Sequence, residues 1–159
     1  MNSRSTFLAT SLIVVLSLGV FAIGGYLQAA ESDQATESGK QAITEGAKQL
    51  LDGNKMAMDV MEKKGMKDAE LTAAEKQMAE GYNTITKGAS MMTGSTMAEG
   101  KATVKRGSKM MLEAQNATSA AVEKHGMTVT CSAALDQCTV GEKRVKEGNL
   151  DWYFGAPGF

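Results

Sequence analysis

Residues 78–88 read Met78-Ala79-Glu80-Gly81-Tyr82-Asn83-Thr84-Ile85-Thr86-Lys87-Gly88, and residues 97–107 read Met97-Ala98-Glu99-Gly100-Lys101-Ala102-Thr103-Val104-Lys105-Arg106-Gly107. Each segment opens on Met-Ala-Glu-Gly, and in each a second glycine follows the first by seven residues. Seven residues are two turns of α-helix, so both glycines lie along one stripe. Ile85 and Val104 stand four residues after the first glycine, on the same face. The same spacing runs outward through Gly39, Gly46 and Gly53 on one side and Gly141, Gly148 and Gly155 on the other.

With the large apolar positions called a and the glycines d, position a holds Ile43, Leu50 and Ala57, then Met78, Ile85 and Met92, then Met97, Val104 and Met111, then Cys138, Val145 and Trp152. Val60, Ala74, Ala114 and Ala121 continue the d stripe. Position c is often acidic (Glu45, Asp52, Glu80, Glu99, Glu113, Glu147) and f often lysine (Lys48, Lys55, Lys76, Lys109), which describes an exposed helical face. The chain has 17 Gly but 1 Pro, so the glycines serve helices rather than loops. A mid-helix glycine costs about 1 kcal/mol against alanine. Close helix packing offsets that cost, or else a groove is held open for a partner helix, a lipid or a flat ligand.

Helix ends fit the frame. Thr72 with Glu75 and Thr96 with Glu99 have the spacing of capping boxes. Gly65 and Gly126 follow basic last turns, as C-terminal caps do, and they sit in a repeat, Glu62-Lys63-Lys64-Gly65-Met66 and Glu123-Lys124-His125-Gly126-Met127. The pattern predicts helices near 33–64, 70–93, 96–125 and 139–154. The fold class expected is all-α: an up-down bundle of three long helices plus a shorter C-terminal helix, with a Gly/Ala heptad stripe at the interfaces. Short connections make sequential helices antiparallel neighbours, which sets Gly53 beside Gly81 and Gly81 beside Gly107. The helix-packing glycines are then Gly46, Gly53, Gly81, Gly88, Gly100, Gly107 and Gly148.

The domain organisation follows: 1–30 a signal peptide or uncleaved anchor, 31–126 a three-helix antiparallel bundle, and 127–159 a Cys loop, short fourth helix and aromatic tail. Arg4 precedes an almost continuous apolar run from Phe7 to Tyr26, and Ala29-Ala30 supplies small residues for cleavage. A run of that length also suits a retained membrane anchor over residues 7–26. Either way the remainder is exported, periplasmic or secreted. Loss of residues 1–30 leaves a net charge of −2, since Arg4 is the one charge removed from a chain of net −1. Nucleic acid is not an expected partner.

Cys131 and Cys138 in an exported chain read as a disulfide. Seven apart on a helix they would stand about 10 Å apart, too far to bridge, so the bond requires a loop between them. Trp152, Tyr153, Phe154 and Phe159 make the C-terminus aromatic, either anchoring it to the bundle or offering a partner contact. Partners are a second copy of the chain or an envelope protein, reached through the glycine stripe or this tail.

The residues assemble no nucleophile–base–acid set and no phosphate-cradling glycine cluster, so an enzyme is not expected. Methionine is the remaining chemical signal: the chain has 12. Thioethers favour Cu(I). Met58 and Met61, at i and i+3, can share a ligand, and Met66, His125 and Met127 can join from helix ends. Met78, Met92, Met97 and Met111 occupy core positions as flexible filler. His125 with a methionine could also hold a b-type haem in a glycine-lined cavity. The function expected is thus a non-enzymatic structural or interaction module of the cell envelope, needing no cofactor. A Met-rich Cu(I)-binding protein is the alternative, followed by a haem-binding bundle.

Overall fold

The computed structural model describes residues 36–66 and 69–154, which form four α-helices with no strand among them. Helix α1 covers 36–63. Helix α2 is Ala69–Ser90, α3 is Met97–Lys124 and α4 is Ser132–Phe154, with one 3-10 turn, Gly94–Thr96, before α3. Glu70 and Glu99 lie in the first turns of α2 and α3, and Lys87 and Lys124 in their last turns. Both placements complement the helix dipole.

The Glu-Lys-Lys-Gly-Met and Glu-Lys-His-Gly-Met repeat is a pair of identical helix stops. Gly65 and Gly126 take φ of +74° and +66°. Gly65 N–H donates to Glu62 O and Met66 N–H to Met61 O; Gly126 N–H donates to Glu123 O and Met127 N–H to Val122 O. This is the Schellman pattern, in which the residue after the glycine folds an apolar side chain back on the last turn. Met66 and Met127 therefore have a structural reason to be apolar, and both stops lie at the same end of the molecule.

Three expectations about helix starts are corrected. Thr96 does not cap α3 through its side chain. Its hydroxyl donates to Met91 O and Thr93 O instead, 2.6 and 2.8 Å away, and so closes the α2–α3 turn. Thr72 lies inside α2, which begins at Ala69. The fourth helix begins at Ser132, not near 139, and its 23 residues exceed the 22 of α2. Ala133, Ala134 and Leu135 are strong helix formers, and Ala134 extends the seven-residue stripe of Gly141 backwards. No loop separates the cysteines, since residues 132–138 are helical.

The helices pack as two close antiparallel pairs. In the pair α2/α3, a methyl group added to Gly81 would lie 2.6 Å from Met111 Cγ and 3.0 Å from Gly107 O, and one on Gly88 would lie 2.9 Å from Gly100 O. In the pair α1/α4, a methyl on Gly46 would lie 2.8 Å from Gly141 O, and one on Gly148 would lie 2.7 Å from Gly39 O. Gly53 faces Ala134 O and Cys138 Sγ of α4, at 2.9 and 2.7 Å. It does not face Gly81. The first helix takes the last as its close partner, with Gly141 and Gly148 as the matching stripe.

A second buried row joins the pairs. The residue after the stripe position is buried at three places on α1 (Ala47, Asn54, Met61) and three on α3 (Ser108, Gln115, Val122). The Asn54 amide donates to Thr118 Oγ1 at 2.6 Å, linking α1 to α3 within the core. One apolar cluster draws on all four helices, through Ile43, Leu50, Met78, Ile85, Val104, Met111, Cys138 and Val145. On the surface, lysine at f pairs with the acid that follows it four residues later: Lys48 with Asp52 at 2.7 Å, Lys109 with Glu113 at 3.8 Å, Lys143 with Glu147 at 3.8 Å. Such solvent-exposed pairs contribute little to stability. Between helices, Arg144 meets Glu45 at 2.9 Å and Lys124 meets Glu70 at 3.6 Å.

Candidate functional site

The glycine seams are filled by their own chain. Leu50 and Ile43 of α1 lie over Gly141 and Gly148, while Cys138 lies over Gly53. Ile85 and Met92 of α2 and its turn lie over Gly107 and Gly100, and Val104 and Met111 lie over Gly88 and Gly81. A slot for a flat macrocycle does not exist along these stripes, since partner backbone lies within 3.0 Å of where a methyl would sit on Gly81, Gly88, Gly100 and Gly107. Met92 and Met111 are thereby explained as knobs over glycine, in the same role as Ile85 and Val104.

The sulfurs at the other end have no glycine to cover. Met61, Met127 and Cys131 are buried in a second cluster with Ala57, Leu71, Ala121 and Val122. Met58 and Met66 pack against it, half buried. Four of the five residues singled out as soft-metal ligands, Met58, Met61, Met66 and Met127, therefore gather around one cluster. They do so because α1 and α3 end there with identical stops. His125, the fifth, is the half-buried C-cap of α3 at the same end, its N–H bonded to Ala121 O at 3.1 Å. Cys131 belongs to this group and was not anticipated in it. Its position seven residues before Cys138, on the a stripe, was the available signal. Among the described residues no group of three or more His, Cys, Asp or Glu is placed to hold a metal ion.

A cavity of about 150 Å³ opens between α1 and α2 at this end. Met58 and Met66 line it with Asp59, Glu62, Leu71 and Glu75. A second, shallower groove between α3 and α4 is lined by Lys105, Ser108, Leu112, Asn116 and Asn149.

The disulfide is corrected: both thiols are free and buried. Cys131 closes the turn before α4, its N–H bonded to Met127 O at 2.9 Å, and Cys138 stands two helical turns further on. Cys138 Sγ–H points at Leu50 O, 3.8 Å away across the α1/α4 seam. Burial and the neighbouring Glu142 push its thiol up to about 11. Burial raises Cys131 as well. Neither is an activated nucleophile, which requires the opposite shift.

Trp152, Tyr153 and Phe154 lie in the last turn of α4, and Phe159 lies outside the described residues. The signal or anchor segment, 1–30, also lies outside them. No described helix is long and apolar enough to cross a membrane. No protein-family model, no curated protein and no solved structure matches this chain.

Proposed function

We propose that the chain is an exported, non-enzymatic up-down bundle that serves the cell envelope as a structural or interaction module. The heptad Gly/Ala stripe acts as its packing code. One observation carries this reading: Gly46, Gly53, Gly81, Gly88, Gly100, Gly107, Gly141 and Gly148 each have partner-helix backbone at 3.0 Å or less from an added methyl. Residues spent in this way specify a shape, and none of them is exposed to a partner. Interaction then falls to the outer faces and to the aromatic end, Trp152 to Phe159. The apolar run of residues 7–26 supports export. Cell fractionation of the full chain, followed by light scattering with and without residues 152–159, tests both parts. Recovery outside the cytoplasm, with an assembly that dissolves on truncation, is expected. Retention in the cytoplasm, or a monomer indifferent to truncation, would overturn the corresponding part.

A second reading, soft-metal binding of the Cu(I) type, is favoured by one specific observation. Met58, Met61, Met66 and Met127 meet at one end of the bundle, where no glycine seam explains them.

A further inference from the structure

We propose that the cavity between α1 and α2 binds a soft monovalent cation of the Cu(I) type through the thioethers of Met58 and Met66. The inference deepens the soft-metal reading and rests on it. Met58 and Met66 come from opposite sides of the α1 stop and line the same cavity of about 150 Å³. The stop itself fixes their relation, since Met66 N–H is bonded to Met61 O at 3.0 Å. Met61 is buried one turn from Met58 in the cluster against which both outer methionines pack. Both cavity-lining thioethers thus stem from one helix end. Met58 and Met66 are each half buried, so part of each residue meets solvent.

The surroundings suit a cation and select a soft one. Asp59, Glu62 and Glu75 rim the cavity and favour entry of positive charge. A hard divalent cation needs several convergent oxygens, and the described carboxylates do not converge as a metal-binding group. Thioether sulfur is a soft, neutral donor that binds Cu(I) without losing a proton. The site therefore takes up the cation with no linked proton release, unlike a thiolate site. Cys131 lies in the same cluster but does not line the cavity. The methionines over the glycine seams, Met92 and Met111, are fully enclosed and take no part.

The test is anaerobic competition of the full chain with a chromogenic Cu(I) chelator, with proton release followed in parallel. The wild type is expected to withdraw one Cu(I) per chain without acidifying the solution. Met58→Leu and Met66→Leu keep volume and remove sulfur, and each is expected to weaken binding about tenfold or more. Met111→Leu and Cys131→Ala are expected to leave it within about threefold, well short of the loss typical of a ligand. Unchanged helical circular dichroism checks that each variant is folded. If the wild type withdraws no Cu(I), the soft-metal reading and this site fail together. If it binds while Met58→Leu and Met66→Leu match it, the soft-metal reading stands and this site is wrong. Binding lost in Cys131→Ala, or coupled to proton release, would overturn the thioether assignment.

Discussion

Gly107→Ala turns the seam into a question of sign. In an exposed helix this change stabilises by about 1 kcal/mol. Here the new methyl would lie 2.7 Å from Gly81 O, 2.8 Å from Ile85 N and 2.8 Å from Ile85 Cγ1, where ordinary contact begins at 3.4 Å. The isoleucine tip can rotate away, but two of the three contacts are backbone. Helix α2 must therefore draw back by about 0.6 Å, as those distances require. A gap of that size forfeits roughly a quarter of each dispersion contact across it. The loss is shared by Ile85, Met92, Val104 and Met111, all buried on this seam. The upper end of the usual overpacking range, about 3 kcal/mol, is then appropriate. Less the propensity gain, the net destabilisation is about 2 kcal/mol. Urea unfolding measured by circular dichroism reads it as a lower midpoint at constant slope. Gly81→Ala combined with Gly107→Ala should cost less than the two separately, because the first methyl already opens the gap. A Gly107→Ala protein more stable than the wild type would refute close packing at this seam.

Two further outcomes follow from the buried polar groups. Thr118→Val deprives the Asn54 amide of its acceptor in the core and should cost about 1–3 kcal/mol in the same assay; adding Asn54→Leu should recover part of the loss, since no orphaned donor then remains. The Cys138 thiol, raised from 9.0 to about 11 in the folded state, favours its neutral form there. Its contribution to stability is complete below pH 9 and is lost as pH rises towards 11. The stability difference between wild type and Cys138→Ala should therefore shift against the wild type across that window, and a pH-independent difference would contradict the burial of this thiol.

The seven-residue stripe was readable because glycine and large apolar residues alternate along it, and nothing but a helix face gives that spacing. The helix stops were readable for the same local reason: a glycine with positive φ after a basic turn has few other uses. The pairing of helices was not. A seven-residue frame can be aligned with any other, so Gly53 fits Gly81 on paper as well as it fits Ala134 and Cys138. What decides between them is the second buried row, Ala47-Asn54-Met61 and Ser108-Gln115-Val122, whose mixed polarity hides its period. The cysteine segment is helical because the helix-forming run Ala133-Ala134-Leu135 outweighs the loop that a disulfide would require. At the sulfur-rich end, the i,i+3 spacing of Met58 and Met61 and the helix stops bearing Met66, His125 and Met127 mark the group. That Cys131 joins them depends on α4 starting where α1 and α3 stop, which is a tertiary fact.

The pairing of α1 with α4 is open to a direct covalent test. A methyl at Gly53 would lie 2.7 Å from Cys138 Sγ, so a thiol introduced as Gly53→Cys stands within bonding reach of Cys138. In a Cys131→Ala background, mild oxidation should join positions 53 and 138 in nearly every folded chain, as peptide mapping by mass spectrometry would show. Failure to cross-link under conditions where the protein remains helical would contradict the seam and, with it, the architecture described here.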